Sequence, residues 1–320
     1  MDIEALADEI IAGRRLSHSD DLAFFETCDE TVLKRGADKI RSAFSGNKVD
    51  LCTIINGKSG RCGENCAYCA QSAHHKTACE VYGFLSQEKI IAEAKANAAE
   101  GVDRFAIVTA GKALDGEDFK KAIAAYRVIH AQCPTLELCA SFGFLKKEQF
   151  ARLREAGVTS YHDNIETSRR FFPHICTTHT FDEKLATIRA AKEAGLYVCS
   201  GGIIGMGETF GDRIDMALEL AALGADSIPV NTLMAIKGTP LENQKPLGDS
   251  EILRTIAMFR YINPAADIRL AGGRRLMKNS GEEAFLSGAN ATITGNMLTT
   301  SGSTIKSDRE MLTRLGRTVI

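Results

Sequence analysis

The rhythm of apolar and polar positions changes near residue 45. Before it the chain keeps helical spacing without a strand; after it, short strand-like runs alternate with amphipathic stretches of helix length. The runs are VDLCTIIN, RFAIVTA, LELCASF, TSYHDNI, LYVCSGG, DSIPVNT, DIRLA and ATITG. Between the second and third, EDFKKAIAAYRVIHAQ carries Phe119, Ile123, Tyr126 and Ile129 on one helical face. Strands alternating with helices predict parallel β/α units. Eight units predict an α/β fold: a (β/α)8 TIM-type barrel with an N-terminal helical extension, its chemistry at the C-terminal strand ends. A doubly wound open sheet fits the same alternation. Residues 1–320 read as one domain, with 1–45 helical, 46–300 the barrel and 301–320 a C-terminal segment.

Strand parity adds a second signal. The helix-facing side of each barrel strand should be apolar, leaving the other side inward. Leu136, Leu138 and Ala140 then face the helices, and Glu137, Cys139 and Ser141 face inward. Leu196 and Val198 put Cys199 inside; Leu51 and Ile55 do the same for Cys52 and Asn56. His162, Asn164, Glu166, Asn231 and Arg269 also fall on inward positions, whereas Asp163 falls on the helix side, where a carboxylate is out of place. An interior this polar predicts a buried cofactor site.

Composition narrows the class. With 39 basic against 41 acidic side chains, the chain lacks the excess charge of a nucleic-acid binder. No run approaches the roughly 18 apolar residues of a membrane span. The amphipathic, acidic N-terminus does not read as a secretory signal, so a cytoplasmic location is expected. Ten cysteines in such a chain point away from a disulfide framework, toward packing or metal ligation.

Spacing bears on that choice. After the first strand the chain reads GRCGENCAYCAQSAHH, with Cys62, Cys66 and Cys69 as Cys-x3-Cys-x2-Cys in one polar loop. Three adjacent thiolates suit an iron–sulfur cluster or zinc. Structural zinc wants four ligands, usually from paired motifs, and neither Cys79 nor His74 and His75 completes such a pattern. A four-iron cluster on three thiolates keeps one iron open. Zinc and chemically inert cysteines stay as alternatives on the residues alone.

The triplet resembles the radical S-adenosylmethionine signature. The stretches IINGKSGRCGENCAYCAQS, YHDNIETS, VCSGGIIGMGET, KGTPL and IRLAGGR resemble the biotin synthase family across nearly the whole barrel. That resemblance implies a reduced [4Fe-4S] cluster that cleaves S-adenosyl-L-methionine to a 5′-deoxyadenosyl radical. The radical takes hydrogen from dethiobiotin, and sulfur from an auxiliary Fe-S cluster closes the ring. It implies an electron donor such as flavodoxin or ferredoxin, and a homodimer. Another radical enzyme on the same barrel, such as a hydrogenase-cofactor maturase or a mutase, and a non-catalytic Fe-S module are the rival functions.

Carried over by position, the resemblance implies Cys62, Cys66 and Cys69 as ligands of the radical cluster. Tyr68, Thr109, Asn164, Glu166, Lys184, Ile203 and Met234 are implied around S-adenosylmethionine. Glu166 stands where the family often has Asp, and Lys184 where it usually has Arg against the methionine carboxylate. His162, Asn164 and Asn231 are implied at the substrate, with the Thr109–Ala110 backbone nearby. One departure matters: the second-strand position that carries a ligating cysteine in the familiar enzyme is Ala106, and Cys52 appears on the neighbouring strand. This resembles an anaerobe-type branch, so Cys52, Cys139 and Cys199 are expected to hold a four-iron auxiliary cluster with an extra sulfide rather than a [2Fe-2S] cluster. Arg269 would hydrogen-bond to sulfur or substrate. Cys28, Cys79, Cys133 and Cys176 are expected only to pack.

Overall fold

Aspartates start the first helices. In the computed structural model, which describes residues 2–295 and 303–319, Asp2 caps Ile3–Ile11 by accepting from Glu4 and Ala5, and Asp29 caps Glu30–Ser45 by accepting from Val32. Their apolar faces (Leu6, Ile10, Leu33, Ile40) are buried, against helix Asp249–Ile262 among others. Tyr261 Oη donates to the Ile3 carbonyl at 3.1 Å. Gly36 leaves room for that phenol: a Cβ there would stand 1.8 Å from Tyr261 Oη.

Among the described residues ten strands follow: β1 (Lys48–Lys58), β2 (Arg104–Thr109), β3 (Glu137–Ser141), β4 (Val158–His162), β5 (Tyr197–Cys199), β6 (Gly202–Ile204), β7 (Ser227–Thr232), β8 (Asp267–Leu270), β9 (Ala291–Ile293) and β10 (Thr318–Val319). The ladder runs β1-β2-β3-β4-β5-β7-β8-β9, all parallel, and β9 returns to β1 through Asp50↔Ala291, Leu51↔Thr292 and Cys52↔Ile293. That return closes the ring and removes the open-sheet alternative.

The run LYVCSGG is split. β6 pairs with β7 after a break at Ser200–Gly201, so β5 and β6 share one position in the ring. The cause is a close approach, since a Cβ on Gly201 would lie 2.1 Å from the Pro229 carbonyl oxygen. The expected boundary at residues 300–301 lies outside the described residues. Beyond it, helix Ile305–Arg314 leads to β10, which pairs with the start of β1.

Burial follows the parity. Leu51, Phe105, Ile107, Leu138, Ala140, Tyr161, Val198, Ile228 and Ile268 are sealed under the helices. Helix Gly116–Gln132 buries Phe119, Ile123, Tyr126 and Ile129, as its spacing predicts, and Tyr126 Oη donates to the Cys139 carbonyl at 2.7 Å. Inside the ring, Cys52, Ala106 and Cys139 form a separate cluster with Ile54 and Val108. Glu137 departs from expectation: it is exposed, and its carboxylate meets Thr159 Oγ1.

Candidate active site

The ring encloses a cavity of about 280 Å3. Cys52, Cys139, Cys199 and Arg269 line it together with His162, Asn164, Ile203, Asn231 and Met234, and Tyr68 and Cys69 of the loop after β1 reach it from the other end. Cys52 lies six residues before the end of β1, so roughly 20 Å of extended chain separates it from the loop's origin.

The loop is folded by its own backbone. Cys62 N donates to the Gln71 carbonyl at 2.9 Å, Ala73 N to the Cys62 carbonyl at 2.7 Å, and Cys69 N to the Cys66 carbonyl at 3.0 Å. His74 Nε2 and His75 Nε2 each donate at 3.0 Å, to the Gly63 and Cys66 carbonyls, so both imidazoles serve the loop. Cys62, Cys66 and Cys69 are all half-buried free thiols. Burial, with the neighbouring Cys62 thiol and Glu166 carboxylate, pushes the Cys69 thiol up to about 11.

At the opposite end three thiols surround a charged cluster. Burial pushes Cys52 and Cys139 above the ordinary thiol range and Cys199 up to about 12. Arg269 opposes the shift at each, and its field reaches all three sulfurs. The guanidinium is fixed on several sides: Nη2 donates to Asp50 Oδ1 at 2.6 Å, Nε to Ser227 Oγ at 3.2 Å and Nη1 to the Thr292 carbonyl at 3.4 Å. Asp50 also receives Arg104 Nη2 at 3.3 Å. Burial alone would raise the Asp50 pKa, but Arg269 and then Arg104 outweigh it and hold the carboxyl below its usual range.

Asp50 and Arg104 are additions to the expected set. Both lie on inward parity, two residues before Cys52 and Ala106, so the alternation that singles out the thiols applies to them equally.

Where the chain crosses from β4 toward β6, polar groups knit the mouth of the cavity. Asn164 Oδ1 accepts from Gly201 N at 3.0 Å, and its Nδ2 donates to Glu166 Oε2 at 3.4 Å. Glu166 sits at φ 71°, a left-handed conformation that costs a non-glycine residue about 1 kcal/mol or more. Its backbone is held there by Glu166 N to Gly201 O at 3.1 Å and Ile203 N to Glu166 O at 2.8 Å. Burial raises the Glu166 carboxyl, and Lys184 and a hydrogen bond from Tyr68 offset only part of that. Asn231 donates to the Gly202 carbonyl at 3.0 Å and accepts from Gly272 N at 2.9 Å. Burial, then the positive Lys184 and Arg269, push His162 down to about 4, so its imidazole is neutral near pH 7.

Cys62, Cys66, Thr109, Glu166 and Lys184 of the expected set lie off the cavity wall. Thr109 is half-buried at the end of β2, and Lys184 is buried on helix Phe181–Glu193. Lys184 Nζ donates to Asp163 Oδ1 at 2.6 Å, which explains the carboxylate on the helix-facing side of its run. Cys176, expected only to pack, lies 3.8 Å from Cys66, sulfur to sulfur. Among the described residues, Cys66, Cys176 and His179 alone bring three ligand atoms within 4.8 Å of one another. No sequence period flags this contact, because 110 residues separate the two cysteines.

Residues 58–220 match the radical SAM superfamily, and residues 229–318 match the biotin and thiamin synthesis associated domain. A biotin synthase of Clostridium beijerinckii is 59% identical over 314 residues, covering 98% of this chain and 99% of its own. The chain belongs to the biotin synthase family. Another biotin synthase, from Alkaliphilus metalliredigens, is 56% identical over 316 residues, covering 99% of both chains, and one from Akkermansia muciniphila is 51% identical, covering 98% of this chain and 97% of its own. Among solved structures, a methylornithine synthase matches with a TM-score of 0.82 at 20% identity, covering 98% of this chain and 97% of its own. A hydrogenase maturase from Carboxydothermus hydrogenoformans matches at 0.80 and 17%, covering 98% of this chain and 78% of its own. At such identities these two show the barrel alone. As a biotin synthase family member this chain is a radical SAM enzyme, which takes a [4Fe-4S] cluster and S-adenosylmethionine. Among the described residues no helix is long and apolar enough to cross a membrane.

Proposed function

We propose that this chain inserts sulfur into dethiobiotin to make biotin, with Cys62, Cys66 and Cys69 holding the radical cluster and Cys52, Cys139 and Cys199 holding an auxiliary four-iron cluster with an extra sulfide. The observation that carries the reading is the convergence of Cys52, Cys139 and Cys199 on one cavity whose other end is lined by the cysteine loop. The residues fit such groups in a second respect: Arg104 Nε, on the cavity wall, is buried without a hydrogen-bond partner among the described residues. A buried donor of this kind is costly unless something in the cavity accepts from it.

The cysteine that the familiar enzyme carries at Ala106 has a near substitute. Ala106 pairs with Cys139 on one side and Ile54 on the other, and Cys52 is two residues from Ile54 on the same face of β1. A thiolate moved by one strand therefore still borders the same cluster of side chains. This supports the anaerobe-type arrangement.

When bound, the two clusters and S-adenosylmethionine supply the electron, the carbon radical and the sulfur. The chain's own residues bind and orient. Buried thiols with raised pKa values stay neutral until a metal displaces their protons. Arg269, already held by Asp50, Ser227 and Thr292, has no freedom to swing and presents a fixed positive charge beside the three sulfurs. Glu166 and Asn164 offer oxygens for ribose hydroxyls, Tyr68 would lie near the adenine, and Ile203 and Met234 offer apolar wall. Thr109 would contribute its backbone. Lys184 keeps two of its three N–H donors beyond the Asp163 contact, enough for a methionine carboxylate. Asn231 and neutral His162 would face the ureido ring.

Single-domain organisation of residues 1–320, a homodimer, a cytoplasmic location and a flavodoxin or ferredoxin donor belong to the same proposal; of these, packing of the N-terminal helices on the barrel supports the first. Anaerobic reconstitution with iron and sulfide, then incubation with S-adenosylmethionine, a reductant and dethiobiotin, tests the reading. Biotin and 5′-deoxyadenosine together are expected; 5′-deoxyadenosine without biotin would overturn it in favour of another radical enzyme.

A further inference from the structure

The cysteine loop brings one more polar side chain to the cavity. Gln71 lines it directly after Tyr68, Cys69 and Ala70, and is only 7% exposed. Two hydrogen bonds brace it: its carbonyl accepts from Cys62 N at 2.9 Å, and its side-chain Oε1 accepts from Gly60 N at 3.1 Å. Its neighbours are pinned as well, since Ser72 Oγ donates to the Glu64 carbonyl at 2.6 Å and Thr77 Oγ1 to the Ala70 carbonyl at 2.5 Å. Gly60 makes the brace possible. Its φ of 76° is left-handed, and a Cβ there would stand 2.7 Å from Val81 Cγ2.

That brace fixes which end of the amide is which, because a backbone N–H can meet only the oxygen. Nε2 therefore keeps both of its N–H donors, and neither has a partner among the described residues. Asn164 and Asn231, also on the wall, each give a donor to the chain itself, at Glu166 and Gly202. Buried donors are costly to leave unmade, so an occupant of the cavity is the natural acceptor. We infer that Gln71 is a binding residue: its Nε2 donates to an acceptor oxygen of the small molecule bound there, S-adenosylmethionine or dethiobiotin. The inference rests on the reading that this cavity takes both. Each carries a carboxylate, and dethiobiotin a ureido carbonyl as well, so the shared chemistry is an acceptor oxygen.

Equilibrium dialysis of labelled S-adenosylmethionine and, separately, of labelled dethiobiotin against the oxidised, reconstituted holoenzyme tests this without turnover. Measured at pH 8, above the ordinary carboxyl range, Gln71→Glu keeps an oxygen for Gly60 N and offers no donor. One of the two affinities should fall by about five- to fiftyfold with iron content unchanged, and the molecule affected identifies the acceptor. Gln71→Met, which lacks both donor and acceptor, should weaken the same molecule. Unchanged affinity for both molecules in Gln71→Glu overturns the inference, and weakening in Gln71→Met alone does so by making Gln71 only a brace of the loop. Should Gln71→Glu lose its iron, unchanged affinities in iron-replete Gln71→Met overturn the inference instead. Binding of dethiobiotin by the parent checks the functional reading separately.

Discussion

Replacing Asp50 with Asn tests the electrostatics beneath the three strand thiols. The carboxylate receives Arg269 at 2.6 Å and Arg104 at 3.3 Å, and Asp50 and Arg269 are nearly inaccessible to solvent. Removing one partner of a buried pair costs about 3–5 kcal/mol, because the remaining charge stays buried. Asparagine keeps one acceptor oxygen, so the lower end, about 3 kcal/mol, is expected, more than a hundredfold in the folding equilibrium. Arg104→Gln should cost less, since that bond is longer and its side chain is 14% exposed. The sign with pH is fixed: a carboxyl whose folded pKa is depressed stabilises above its unfolded value, about 4, and loses that contribution as pH falls through the folded value. Urea denaturation of the apoprotein at several pH values reads this out. The gap between parent and Asp50→Asn should be full at pH 6–8 and close below about pH 4. A gap under about 0.5 kcal/mol at pH 7, the scale of ordinary surface substitutions, would refute the reasoning.

Other consequences are local. A Cβ on Gly202 would lie 2.4 Å from both the Glu166 carbonyl oxygen and Met216 Sδ, so Gly202→Ala should weaken S-adenosylmethionine binding by more than about tenfold in equilibrium dialysis. Gly211→Ala is the control, with its nearest contact at 3.6 Å and no expected change. His162, held down to about 4 in the fold against about 6.5 unfolded, should make the protein less stable as pH falls from 6.5 to 4, by up to about 3 kcal/mol. Denaturation midpoints of His162→Gln should lack that slope; an equal slope in both proteins would show that other groups cause it.

Alternation along the strands was enough to read the ring and most of its lining. Cys52, Cys139, Cys199, Asn231 and Arg269 reach the cavity because a pleated strand must turn alternate residues inward once its other face is under helices. The same alternation marks Asp50 and Arg104, but parity gives the side and not the partner, so their ion pairs stay hidden until β8 closes beside β9 and β1. Asp163 reverses the lesson: a carboxylate on the wrong face was legible as an anomaly, and Lys184, 21 residues away on a helix, resolves it. Cys176 and His179 follow a four-residue helix, Phe172–Ile175, too short to leave a period, and meet Glu64 and Cys66 only through tertiary structure. The break between β5 and β6 was equally hidden, since it arises from backbone contact with Pro229 rather than from any local pattern.

The claim on which the functional reading stands is that two independent sets of three cysteines each carry a four-iron cluster. Iron and acid-labile sulfide per chain, counted in anaerobically purified parent, Cys52→Ala and Cys62→Ala, address it directly. The account predicts that each variant loses the same amount of iron and that Cys52→Ala alone keeps the resonance of the cluster that binds S-adenosylmethionine. Full iron content and undiminished biotin formation in Cys52→Ala would contradict it.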